Sequence, residues 1–220
     1  VDVFDFIIRN RAEVFKLTLE HLMLVTVSMF LAAIIAIPLG VLLTRRVALR
    51  RWALGGANVI QTIPSLALFG FLIPIPLLGG IGNRTAIVAL TLYALLPILR
   101  NTYIGIISVD RAVVEAARGM GMTDRQLLWQ VQLPLSAGVI LAGVRVATVI
   151  SVGIATIAAA IGAGGLGTYI FRGLTMVNNQ VILAGAIPAA LLALAADAGL
   201  GLLERRLGTR FGWTARPQSS

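Results

Sequence analysis

The chain has 220 residues, of which 58% are hydrophobic and only 12% charged, with a formal net charge of +9 and no cysteine. Soluble domains carry roughly 25% charged residues, so the balance points to a membrane protein. Disulfides and thiolate metal sites are excluded, and with His21 the only histidine no metal site is expected.

The first apolar run, Leu22 to Leu43, holds no charge, and about 20 such residues cross a bilayer. It is too long for a signal-peptide core, and more apolar runs follow it. Charge breaks predict five spans, at approximately 20–44, 55–75, 85–107, 135–160 and 179–203. The second is irregular. No charge lies between Arg51 and Arg84, and Pro64, Pro74, Pro76 and Gly79-Gly80 fall in that interval. We read a helix ending near Pro74, followed by irregular backbone. Such backbone at membrane depth must be covered by protein or line a watery cavity.

Basic residues set the expected orientation. Arg45, Arg46, Arg50 and Arg51 follow the first span, Arg111, Arg118 and Arg125 lie between the third and fourth, and Arg205, Arg206, Arg210 and Arg216 follow the fifth. The other loops hold only Arg84 and Arg172. The N-terminus is therefore expected outside and the C-terminus in the cytoplasm. Trp52, Trp129 and Trp213 then fall near the cytoplasmic interface, as an aromatic belt requires. A basic chain of this kind does not call for nucleic acid, because its arginines sit beside spans and no soluble basic domain remains.

The segment between the third and fourth spans, about 108–134, is polar. It reads Glu115-Ala116-Ala117-Arg118-Gly119-Met120-Gly121 and closes on Val131-Gln132-Leu133-Pro134. Thr123 and Gln126 have capping-box spacing, and Leu127, Leu128 and Val131 recur on one face of a short helix. Pro134 is placed to open the next span. The small residues Ala116, Ala117, Gly119 and Gly121 would let a partner surface come close, and Glu115, Arg118, Asp124 and Arg125 can form salt bridges there. This is a helix, a glycine break and a second helix. The spacing resembles the cytoplasmic loop by which ABC importer permeases grip their ATPase, with Val131 where that family usually has Ile.

Further segments resemble osmoprotectant importer permeases, which carry glycine betaine, carnitine, choline and related compounds. They are Gln61-Thr62-Ile63-Pro64-Ser65-Leu66-Ala67, Gly162-Ala163-Gly164-Gly165-Leu166-Gly167, Phe171-Arg172-Gly173-Leu174, Gly185-Ala186-Ile187-Pro188 and Leu203-Glu204-Arg205-Arg206-Leu207. The resemblance covers about residues 20–208. Methionine importer permeases share the five-span plan, and are the nearest competing reading; a secondary transporter or channel is the alternative of another class. The resemblance implies an all-α, type I ABC importer permease forming one transmembrane domain over residues 1–220. It implies as partners an ATPase subunit that binds ATP and Mg, a second permease chain, membrane lipid and a separate external substrate-binding protein.

Absences agree with that division of labour. A Walker A loop needs Gly-Lys-Ser/Thr, and the one lysine, Lys16, stands between Phe15 and Leu17. No catalytic set is visible, and His21 is expected to be structural. The 162–167 glycines neither follow a strand nor open a soluble helix, so they fail as a nucleotide loop. They read as a flexible outer end of span four. Gln61, Pro64, Gly164, Gly165 and Gly167 are candidates for the gate or pathway. Arg145 and Asp197 are charges placed inside spans four and five, at similar depth, and are expected to pair because charge there is costly. Tyr93, Tyr103, Phe69 and Phe71 could offer π faces to a quaternary ammonium.

Overall fold

The computed structural model describes residues 3–76 and 78–210; Trp213, Arg216 and the rest of the tail lie outside them. Helix α1 spans Val3–Arg9 and α2 Arg11–Arg45. Helices α3 (Val47–Thr62), α4 (Ser65–Leu72) and α5 (Asn83–Ile107) follow. Next come α6 (Arg111–Gly119), α7 (Asp124–Gln126), a π-helical segment at Leu127–Gln132 and α8 (Leu133–Ala158). A 3₁₀ turn at Ala159–Ile161, α9 (Gly167–Thr175) and α10 (Asn179–Arg210) complete the order. Four of these stretches are long and apolar enough to cross a membrane, five if the bent pair α3–α4 is counted as one.

The centre is a three-helix stack of α2, α5 and α8, with α10 against α8. Its seam is made of small side chains: Ala32, Ala36, Ala86, Ala89, Ala147, Ala155 and Ala158 are fully buried. Between helices in lipid there is no hydrophobic driving force, so close backbone approach through small residues does the work. Gly143 shows the limit. A Cβ there would stand 2.8 Å from the Pro97 carbonyl oxygen and 2.5 Å from Asn101 Cβ on α5.

The second span differs from expectation. It breaks at Ile63–Pro64, about ten residues before Pro74, and α4 leaves α3 at 104°. Pro64 disfavours helical geometry at the residue before it, and Ile63 is extended, with φ −73° and ψ 127°. Pro64 then starts α4, its carbonyl accepting from Leu68 N–H at 2.9 Å. Gln61 Nε2 donates to the Tyr93 carbonyl at 3.1 Å and the Tyr93 hydroxyl donates to the Ile63 carbonyl, so α5 pins the elbow from both sides. The irregular backbone expected after the helix is present at 73–76 and 78–82, and Gly82 N–H donates to the Ile161 carbonyl at 2.9 Å.

Pro134 stands at the second position of α8, as expected for a helix start, but α8 does not begin afresh from a loop. Asp124 to Ile161 is one continuous rod of 38 residues, with the π segment just ahead of the proline. There Leu133 N–H donates to Leu128 O, five residues back. The wider π turn relieves the clash a proline ring makes with the preceding turn. The bundle therefore has two distinct ends. One carries α6, α7, Arg45 and the start of α3. The other carries the first turns of α2, the 162–167 loop and α9.

Candidate coupling site

The knob between α5 and α8 is built by local rules. Asp110 Oδ1 accepts from Ala112 N–H at 2.8 Å and starts α6. At the other end of α6, Gly121 N–H reaches Arg118 O at 2.9 Å and Met122 N–H reaches Ala117 O at 3.2 Å. That is a Schellman stop with Gly121 in its left-handed position, φ +83°. Thr123 and Gln126 form the expected capping box, Gln126 N–H donating to Thr123 Oγ1 at 3.3 Å and Thr123 N–H to Gln126 Oε1 at 2.9 Å. Arg118 faces Asp124 at 3.7 Å across the break, and Arg45 of α2 donates to the Asp124 carbonyl at 3.2 Å.

The structure divides the motif residues between two jobs. Ala117 is buried and serves packing inside the chain, contrary to its expected place on a partner contact. Ala116, Gly119 and Gly121 are exposed, and no atom lies within 4 Å of a Cβ built on either glycine. Glu115 is exposed and pairs with Arg111 at 2.8 Å, a surface contact worth little by itself. Met120, 77% exposed, and Trp129, 64% exposed, flank them. Leu133 and Pro134 are partly buried where the rod enters the bundle. A groove of about 590 Å³ opens beneath, lined among others by Arg45, Arg111, Arg118, Asp124 and Gln132.

Arg145 and Asp197 pair in a fork: Nε to Oδ1 at 2.6 Å and Nη2 to Oδ2 at 2.7 Å. Glu204 joins the expected pair, accepting from Nη1 at 3.3 Å. Gly201 lies between the two carboxylates on α10, and a Cβ there would stand 3.1 Å from Nη1. The cluster joins α8 to α10 at the surface of the single chain, about one-third exposed.

The 162–167 loop is packed, not loose. Ala163 and Leu166 are buried, and Gly167 lies against the Thr156 backbone so closely that no side chain fits. Gly165 N–H donates to Glu20 Oε2 at 3.0 Å, and Gly164 and Gly165 rest on Glu20 and His21 of α2. His21 is buried and structural, as expected. Its Nε2 is 3.1 Å from the Val152 carbonyl, so that nitrogen carries the proton. Glu13 adds a second tie, accepting from the Tyr169 hydroxyl at 2.8 Å and from Arg172 at 3.0 Å. Burial and the Glu13 carboxylate push the Tyr169 hydroxyl up to about 12, so it stays a donor. Gln61 and Pro64 sit apart from these glycines, in the elbow.

A known protein family, described as the binding-protein-dependent transport system inner membrane component, matches residues 36–209. The chain belongs to this family. Among curated relatives of this permease, a glycine betaine/carnitine/choline transport system permease of Bacillus subtilis is 49% identical, over 86% of this chain and 81% of the relative. A carnitine transport permease of Listeria monocytogenes is 47% identical over 86% of each. A choline transport system permease of Bacillus subtilis is 43% identical over 93% of each. A chain of a methionine ABC transporter in an inward-facing conformation is similar in structure, with TM-score 0.81 and 26% identity over 90% of this permease and 97% of that chain.

In the permease the expected π faces are mostly occupied. Phe69 is fully buried, Tyr93 is buried in the elbow, and the Tyr103 ring carries the Arg50 guanidinium at 5.3 Å. Phe71 alone is exposed.

Proposed function

We propose that this permease is the membrane subunit of an ATP-driven importer for osmoprotectants such as glycine betaine, carnitine or choline. The observation that carries this reading is the set of relatives, 43–49% identical over 81–93% of their length, that bear those substrates in their names. The methionine reading has weaker support, a structural likeness at 26–28% identity.

The geometry supports a mechanism for coupling. The exposed face of α6, with Glu115, Ala116, Gly119, Met120 and Gly121, is the contact for a separate ATPase that holds ATP and Mg. Closure of two ATPases moves the knob. The knob is continuous with α8, and α8 is tied to α10 through Arg145, so the motion reaches both helices. With a second permease chain the two bundles enclose the path, and an external binding protein supplies the substrate. The N-terminus lies outside and the knob in the cytoplasm.

The test is uptake into liposomes holding the permease, its ATPase and the binding protein. We expect ATP-dependent uptake of labelled betaine, carnitine or choline that unlabelled methionine does not compete. Uptake driven by an ion gradient without ATP, or competed by methionine alone, would overturn the reading.

A further inference from the structure

From His21 to Val109 the chain holds no aspartate or glutamate, yet Arg45, Arg46, Arg50 and Arg51 crowd into a run of seven residues there. They surround the turn where α2 ends at Arg45 and α3 begins at Val47. Four other arginines have acidic partners: Arg111 faces Glu115, Arg118 faces Asp124, Arg145 faces Asp197 and Glu204, and Arg172 faces Glu13. Among the described residues no carboxylate pairs with any of the four at the turn.

Two of the four frame the turn. Arg45 donates to the Asp124 carbonyl at 3.2 Å, and Arg50 lies over the Tyr103 ring and donates to its hydroxyl. Arg46 stands between the helices with φ −125° and ψ 86°, and both it and Arg51 are exposed. Two recesses open here and share Ala48. One, of about 520 Å³, is lined by Leu42, Arg45, Arg46, Ala48 and Leu49; the other, of about 280 Å³, by Ala48, Arg50, Arg51 and Trp52. Each combines apolar walls with a pair of arginines. Leu42 belongs to the uncharged run of α2, so the larger recess reaches into the apolar layer. Trp52, 79% exposed, stands beside the smaller one as an interfacial anchor does.

We propose that this turn binds an anionic phospholipid, its phosphate met by Arg46 and Arg51 and an acyl chain lying along Leu42, Ala48 and Leu49. Basic clusters beside a span attract acidic headgroups, and a guanidinium fork matches phosphate oxygens. A phosphatidylcholine headgroup carries its own cation beside the phosphate, so it lacks the net charge that these arginines call for. The apolar depth of the larger recess selects a lipid over free phosphate. It also selects a lipid over the ATPase, a soluble partner that does not enter the apolar layer. A second copy of this chain brings the same arginines to the same depth, where like charges repel. Arg45 lines both this recess and the groove beneath the knob, so the headgroup sits beside the coupling contact. The site needs α2 in a bilayer and holds whichever compound is carried.

The experiment uses the purified permease, with and without its ATPase, in native mass spectrometry while phosphatidylglycerol or phosphatidylcholine is titrated in. Phosphatidylglycerol should be the lipid retained. Arg46→Gln should weaken its binding about fivefold, and Arg46→Gln with Arg51→Gln about 25-fold, the scale for one and two basic side chains at an anionic surface. Arg46→Lys keeps the charge and should retain most of the affinity. Arg84→Gln removes the same charge in the first turn of α5, at the opposite end of the bundle, and should match wild type. Equal binding of the two lipids, equal losses in Arg84→Gln and Arg46→Gln, or displacement of the lipid by inorganic phosphate at the same concentration overturns the proposal. Loss of ATPase from the double variant with lipid retention unchanged also overturns it, and gives the arginines to the ATPase. Bound lipid is read without transport, so a failure here leaves the importer reading standing, and a failure of uptake leaves the lipid site standing.

Discussion

Gly121 allows a sharp separation of backbone from contact. It holds φ +83°, and a Cβ added there meets no atom of the chain within 4 Å. Valine at this position therefore suffers no collision. Its penalty is conformational, about 1–2 kcal/mol for an L-residue in the left-handed region and more with β-branching. One to two kcal/mol is a factor of roughly 5–30 in a local equilibrium, enough to unwind the end of α6. Gly119 is two residues away, equally open, and has no positive φ. Alanine there should be neutral or stabilising by about 0.5–1 kcal/mol, because helical glycine is entropically costly. Asparagine tolerates the left-handed region, so Gly121→Asn should fall between glycine and valine. The assay is the amount of ATPase that co-purifies with each variant, with ATP-driven uptake and amide exchange across 111–122. Expected is a graded loss in the order Gly, Asn, Val at 121, beside retention for Gly119→Ala. If Asn and Val are equally damaging while α6 stays protected from exchange, the glycine is needed for close approach by the partner and the conformational argument is wrong.

Glu115→Lys breaks only an exposed pair with Arg111, so folding should be unchanged while ATPase recovery falls; full recovery would remove Glu115 from the contact. Arg145→Leu leaves Asp197 and Glu204 without their shared cation, and should lower the yield of monodisperse permease; adding Asp197→Leu should restore part of it, and well-assembled single variants would show that water already serves these charges. Cysteines at Ser108 and Asn83, at opposite ends of α5, should label from the cytoplasm and from outside respectively in intact cells, and labelling of Ser108 from outside would reverse the orientation.

Much of this architecture is legible in the residue order. Charge breaks located the long spans because charge is costly in lipid, and Thr123 with Gln126 announced a cap because that motif is local. The elbow at Pro64 was misplaced because the apolar run continues through it, and hydropathy does not register a change of direction. The π segment left no trace, since a bond five residues back uses the same apolar side chains as one four back. Glu204 escaped notice because it lies two turns beyond Asp197, near the end of the span, and only a long guanidinium reaches both. Ala117 looked like a contact residue because small size serves a partner surface and an internal packing seam equally well.

The rod from Asp124 to Ile161 has a mechanical consequence. Thirty-eight residues reach roughly 55 Å at about 1.5 Å each, so one stiff axle joins the knob to the loop seated on Glu20 and His21. A hydrogen-bonded helix hardly stretches, and a displacement entering at one end leaves at the other nearly whole. The compliant joint is the six-residue π segment, next to the knob. A one-residue change of register there rotates whatever lies above it by about 100°, the α-helical step per residue. A change of register in this segment would therefore turn α8 about its own axis, at the end of the helix that carries the knob.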